Sequence, residues 1–129
     1  MICGVGIDIV EISRIEKAMN KWGGRFINKI YSHREIEYCR HKHFPARHYA
    51  VRFAAKEAAM KCLGIGMGAG LAFREIEVVN NRRGKPELII HSDLSPLLKS
   101  AGQGVLFHLS LTHSIDYAAA AVILEIIEK

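Results

Sequence analysis

Negative charge is missing from two long parts of this 129-residue chain. No aspartate or glutamate occurs from Lys17 to Arg34, or from Tyr38 to Lys56. Cysteine is sparse as well. Cys3, Cys39 and Cys62 form no close pair and no metal-ligand spacing, which argues against a disulfide framework or a zinc cluster and suits a reducing cytosol. With one tryptophan and 8% aromatics there is no aromatic-rich strand on which nucleic-acid bases would stack. No apolar run approaches the roughly 18 residues that span a bilayer. The N-terminus has no basic region and reaches Asp8 too soon for a signal peptide, so a cytoplasmic location is expected, with no membrane partner. Internal repeats and low-complexity tails are also lacking.

What is present fits one small globular domain, residues 1–129, with half of its residues hydrophobic and a net charge of +5. That balance favours an acidic partner or an anionic substrate. Ile2 to Val10 reads as a buried strand, with Gly4 and Gly6 permitting close backbone approach and Asp8 interrupting the apolar run. Asp8 by itself reads equally well as a turn or helix-capping residue. A helix follows from about Ile12 to Asn20, Gly23-Gly24 breaks it, and Phe26, Ile27 and Ile30 give a second short apolar face. Ser32 and Glu35 form a capping box opening a helix to about Arg40. Ile76–Val79 and Glu87–Ile90 read as strands joined by a cationic hairpin turn from Asn80 to Pro86. Ser92 or Asp93 would cap a helix ending near Gly102. Alternation from Val105 to Thr112, a turn at His113 to Asp116, and the apolar run Tyr117–Ile127 predict a final strand pair. The last strand, apolar on both faces, hints at self-association.

The centre of the chain is Arg52-Phe53-Ala54-Ala55-Lys56-Glu57-Ala58-Ala59-Met60-Lys61-Cys62-Leu63-Gly64, a helix by propensity, with Pro45 suited to its first turn and Gly64 to its end. Glu57 and Lys61 share a face. Alone they would be a surface ion pair worth about 0.3–0.5 kcal/mol. Read with Asp8, the carboxylate and the cations displayed by this helix suggest a magnesium site, because magnesium takes few protein carboxylates and leaves its other positions to water and phosphate oxygens. The glycine-rich stretch from Gly64 to Gly70 follows a helix and lacks a Gly-Lys-Ser/Thr ending, so it reads as a connection and not as a phosphate loop. None of the cysteines sits in an activated context. His113, between Thr112 and Ser114, suits a phosphate donor, a base or a plain turn histidine.

Gly6-Ile7-Asp8-Ile9-Val10-Glu11, Arg52-Phe53-Ala54-Ala55-Lys56-Glu57-Ala58 and Ser110-Leu111-Thr112-His113-Ser114 together resemble the holo-acyl-carrier-protein synthases, the small type of 4′-phosphopantetheinyl transferase. Phe26, Glu35, Tyr38, Cys39, Asn80, Gly84-Lys85-Pro86 and Tyr117-Ala118 match in order, so the resemblance covers essentially the whole chain. It implies an α+β fold, a small antiparallel sheet packed with helices, that assembles as a homotrimer with active sites between subunits. It also implies transfer of 4′-phosphopantetheine from coenzyme A to a serine of apo-acyl carrier protein in fatty acid biosynthesis, leaving adenosine 3′,5′-bisphosphate.

Carried over by position, the resemblance makes Asp8 and Glu57 ligands of magnesium on the coenzyme A diphosphate, with Lys61 touching that diphosphate and helping the leaving group. Glu57, Lys61 and His113 form the catalytic set. Arg52, Gly64 and the Gly84-Lys85-Pro86 turn lie around the nucleotide, with His113 near its phosphates. Arg14, Lys17, Lys21 and Arg25 become the docking surface for the acidic carrier protein. The loop from Arg40 to Arg47 departs from the family, with Phe44-Pro45 where basic residues are expected for the 3′-phosphate; Lys42 or Arg47 would substitute. A nucleic-acid-binding module would explain the charge but leave Asp8 and Glu57 idle. An adaptor for acidic helical proteins, using the first helix only, would likewise need neither carboxylate.

Overall fold

Alternating small and β-branched residues build the first strand, β1 (Ile2–Glu11), and the apolar spacing after it builds α1 (Ile12–Trp22). Residues 1–66, 71–94, 98 and 104–127 are described by this computed structural model. Gly23, at φ 54°, ends α1 in a conformation open mainly to glycine, and α2 (Gly24–Ile30) follows. The capping box forms at α3 (His33–Arg40): Ser32 Oγ accepts from the Glu35 amide at 3.3 Å, and Glu35 Oε1 accepts from the Ser32 amide at 2.9 Å.

Helix α4 (Pro45–Leu63) has proline in its first turn and Gly64 in the left-handed conformation just past its end, φ 71°. It is the axis of the molecule, buried along most of its length, with Ala50, Ala54, Ala55, Ala58 and Ala59 completely enclosed. Its small side chains let β1 approach the helix backbone. A Cβ on Gly6 would stand 1.9 Å from the Ala58 carbonyl oxygen, and one on Gly4 would stand 2.2 Å from that of Cys62. Both positions therefore require glycine, and their fit fixes where Asp8 lies along α4.

Past a short 3₁₀ turn (Phe73–Glu75), β2 (Ile76–Asn80) and β3 (Pro86–Ile90) pair as an antiparallel hairpin. Its turn is shaped by Gly84 at φ 82° and by the Asn81 side chain, which accepts from the amides of Arg83 and Lys85. Strands β4 (Gly104–His113) and β5 (Tyr117–Ile127) complete a second, three-stranded antiparallel sheet in the order β1-β5-β4. Val10 and His113 both lie opposite Ala118, so they share one rung across that sheet.

This α+β arrangement of antiparallel sheets and helices is the predicted fold class. Three expectations change in detail. Strand β1 is buried on one face only, with Val5, Ile7 and Ile9 exposed on the other. Asp8 lies within β1, opposite Ala120, and caps neither a turn nor a helix. Helix α1 extends two residues beyond the predicted end. The helix expected near residues 92–102 and the glycine-rich connection after Gly66 fall largely outside the described residues.

Candidate active site

Helix α4 presents its ionisable residues on different sides, and their fates differ. Lys56 points into the core and is completely buried. Its ammonium donates to Glu35 Oε1 at 2.7 Å, to the Phe73 carbonyl at 3.0 Å, and to the Ile76 carbonyl. Glu35 Oε2 accepts from the Val78 amide at 3.0 Å, so both charges have hydrogen-bonding partners. Burial lowers the Lys56 pKa, and Glu35 opposes that shift. The expectation of carboxylate and cations on one exposed helix face is thereby corrected: Lys56 locks α3 and the β2–β3 hairpin to α4 and is unavailable to a ligand.

Lys61, five residues on, is open to solvent. Its ammonium reaches Asp8 Oδ1 at 3.0 Å and the Ile7 carbonyl at 3.2 Å. The ion pair of this lysine thus runs to Asp8 across the helix–strand contact, where sequence spacing alone would have paired it with Glu57. Glu57 lies half-buried beside the pair. Burial first, and then the negative charge of Asp8, pushes its carboxyl above the usual carboxylate range, while Lys61 and Arg14 pull the other way. Two carboxylates from distant segments therefore share one small space with a lysine, and Arg14 of α1 lies near enough to act on Glu57. Such a donor set fits a hard divalent cation with one or two protein carboxylates. Among the described residues no third carboxylate, histidine or cysteine joins them.

The second group surrounds the first half of α4. Arg52 is buried; its guanidinium donates to Asn80 Oδ1 at 2.9 Å and lies 4.3 Å from the Tyr38 ring centroid. Asn80 in turn donates to the Gly84 carbonyl at 2.9 Å, which ties Arg52 to the turn holding Lys85 and Pro86. The ammonium of Lys42 also lies 4.3 Å from the Tyr38 ring centroid. His113, at the end of β4, faces His48 of α4 with ring centroids 6.0 Å apart. The imidazole of His48 also meets Tyr38 edge-on at 6.0 Å. Gly64 is exposed beyond Lys61, and Lys85 and Pro86 border a groove beside Val105–Leu109. Arg14, Lys17, Lys21 and Arg25 are all exposed along α1 and α2.

Among the described residues no hydrogen bond or ion pair links the Asp8–Glu57–Lys61 group to the Arg52–His113 group. His48 and Asn80 were not among the candidate site residues. The spacing of His48, four before Arg52 and hence on the same helix face, is the signal that could have found it. Burial raises the thiol pKa of Cys39 to about 12 and also lifts that of Cys62, which keeps both from serving as nucleophiles.

Comparison with known proteins adds a family to this geometry. Residues 4–122 match the sequence profile of the 4′-phosphopantetheinyl transferase superfamily. The chain belongs to that family. It is accordingly an enzyme, a phosphopantetheinyl transferase. It is 46% identical over 125 residues to the holo-[acyl-carrier-protein] synthase of Syntrophus aciditrophicus, covering 97% of each chain. Its fold is similar to that of the Bacillus anthracis holo-(acyl-carrier-protein) synthase, solved in complex with coenzyme A (3′,5′-ADP), at TM-score 0.78 and 38% identity over 99% of each chain. The Neisseria meningitidis holo-[acyl-carrier-protein] synthase superposes at TM-score 0.84 with 34% identity, covering 97% of this chain and 99% of that one. The family's members span this chain essentially end to end, so both residue groups described above lie within the shared fold.

Proposed function

We propose that this phosphopantetheinyl transferase moves the 4′-phosphopantetheine arm of coenzyme A onto a serine of an apo-acyl carrier protein, in a magnesium-dependent reaction that serves fatty acid biosynthesis in the cytoplasm. The observation that carries this reading is the convergence of Asp8, Glu57 and Lys61 where β1 crosses α4. In the reaction the serine oxygen forms a bond to the β-phosphorus of coenzyme A. The bridging P–O bond breaks, and adenosine 3′,5′-bisphosphate departs with the electron pair.

The obstacle is charge. An attacking oxygen must approach a phosphorus already surrounded by negative oxygens. Magnesium held by Asp8 and Glu57 would offset that charge and orient the diphosphate. Lys61, held at Asp8, supplies a further positive charge for the departing phosphate. The carboxylate of Glu57, made more basic by burial and by Asp8, is the group of this chain suited to take the serine proton. Arg52, the Gly84-Lys85-Pro86 turn and His113 would hold the nucleotide. The exposed cations Arg14, Lys17, Lys21 and Arg25 would attract an acidic carrier protein, and Arg14 among them lies near Glu57.

Assembly as a homotrimer belongs to the same proposal. Val5, Ile7 and Ile9 of β1 are 66%, 68% and 66% exposed, and they lie opposite Ile123, Ala121 and Ala119 of β5 in the register. An uncovered apolar sheet face of this kind favours burial against another copy. A second copy there would also offer a route for residues of the two separate groups to meet across an interface.

Intact-mass measurement of an apo-acyl carrier protein incubated with this protein, coenzyme A and magnesium tests the reading. A phosphopantetheine adduct that disappears on chelation is expected. No adduct with several carriers would overturn it, and light scattering of a monomer at micromolar concentration would remove the trimer.

A further inference from the structure

The group around His113 contains a second imidazole with no assigned role. His48 is half-buried on α4, and its ring lies between those of Tyr38 and His113, each at 6.0 Å between centroids. The groups acting on it are Arg52 and Arg47 from its own helix, Lys42 from the loop after α3, and His113 from β4. Burial is the largest influence on this ring, and these cations reinforce it, holding the imidazole below the usual histidine range. Nearby, Arg52 carries a buried Nε–H with no hydrogen-bond partner, although its terminal nitrogens bond Asn80 and the His48 carbonyl. A buried donor without an acceptor, beside a group of cations with no anion set against His48 among the described residues, is the arrangement expected of a pocket awaiting a negative ligand.

We infer that His48 is a proton-coupled part of the anion site at His113: uncharged in the free protein, it takes a proton from solvent when a phosphate group of the nucleotide docks beside it. This rests on the reading of His113 and Arg52 as nucleotide-phosphate ligands. The chemistry follows from two imidazoles placed close together among fixed cations. Without an anion, burial and the surrounding cations both oppose a proton on the enclosed ring of His48. A phosphate dianion reverses that balance. Proton uptake and ligand binding are then linked, so affinity is greatest at low pH and declines as pH rises through the histidine range. The proton goes to a ring nitrogen of His48; no bond is made or broken beyond that. The site gains one charge, to match the phosphate, without presenting another permanent cation to the free protein.

The probe is adenosine 3′,5′-bisphosphate, bound to the whole protein in calorimetric titrations run in buffers of different ionisation enthalpy. The wild type should take up a substantial fraction of a proton near neutral pH, and His48→Phe, which keeps an aromatic ring against Tyr38 and His113, should take up less. Between about pH 6 and about pH 8 the wild type should lose affinity by up to about tenfold relative to the variant. Protonation of the ligand's own phosphates is common to both proteins and drops out of that difference. NMR titration of the His48 ring in the wild type, with and without the probe, needs no variant to fold and should show its pKa rising on binding. An unchanged ring pKa, or equal proton uptake by wild type and His48→Phe, overturns the inference while leaving the nucleotide site intact. Failure of the wild type to bind the probe at any pH overturns the phosphate-site reading itself, and the inference with it.

Discussion

Lys56 and Lys61 stand five residues apart on one helix, and each bonds a carboxylate from a distant element. Lys56 meets Glu35 with neither side chain exposed, whereas the Lys61 side chain is 57% exposed and that of its partner Asp8 is 16% exposed. The first pair has its hydrogen-bonding capacity filled by backbone carbonyls and amides, so it acts as a lock. The second has a raised carboxyl beside it and access to solvent. The same two chemical groups are sealed into the core where burial is complete and stay accessible to solvent where it is partial. The difference lies in what packs over each side of α4.

Breaking the enclosed pair should have the largest effect. Glu35→Ala leaves a buried ammonium without its counter-charge and should lower the unfolding free energy by about 3–5 kcal/mol. Loss of its half of the capping box adds to that cost. Denaturant unfolding measures the total, and a loss below about 1 kcal/mol would mean that Lys56 escapes to water in the variant.

Glu57→Gln tests the open side and should separate activity from stability. Turnover should fall by about 100-fold or more, roughly 2.7 kcal/mol of transition-state stabilisation, while stability changes by less than about 0.5 kcal/mol. The sign is informative. A carboxyl whose pKa is raised in the folded state works against folding once ionised, so glutamine here should be neutral or slightly stabilising above the usual carboxylate range. A large loss of stability would place Glu57 with the lock and not with the site.

The lock has an acid-sensitive neighbour. Burial would raise the pKa of Glu77, but hydrogen bonds from Arg34, Ser32 and His91 overcome this and hold it down to about 2. A depressed carboxyl stabilises the fold fully above its ordinary value of 4.5 and loses that contribution as pH falls from there toward 2. The thermal midpoint should therefore drop over this window in the wild type, and less steeply in Glu77→Gln. Equal slopes would show that other carboxylates dominate acid unfolding.

A modest effect on stability is expected at the exposed lysine. Lys61→Met removes a solvent-accessible ion pair and should cost no more than about 1 kcal/mol in denaturant unfolding. A cost comparable to that of Glu35→Ala would mean the two pairs differ less than their exposure indicates.

Much of this structure was legible from local chemistry. Pro45 and Gly64 bracket α4, Ser32 and Glu35 cap α3, Gly23 breaks the first helical segment, and the Asn80–Pro86 turn joins two short strands. Each signal acts within a few residues, through fixed backbone angles or a side chain bonding its own backbone, so the chain carries it wherever it folds. Asp8 and Glu57 could be named together because each is an acidic residue among apolar or cationic neighbours, and the family resemblance reaches both segments. Sequence spacing could not reveal that Lys61 turns to Asp8, 53 residues away, that Lys56 is enclosed, or that His48 stands against His113. Those outcomes depend on which surface covers each side of α4, and on Gly4 and Gly6 letting β1 touch the helix backbone. Helix ends, turns and strand alternation were thus determined by the sequence itself. Which charges were buried in the core and which stayed open to solvent was decided by long-range packing, because desolvation and ion pairing depend on neighbours that only the folded chain brings together.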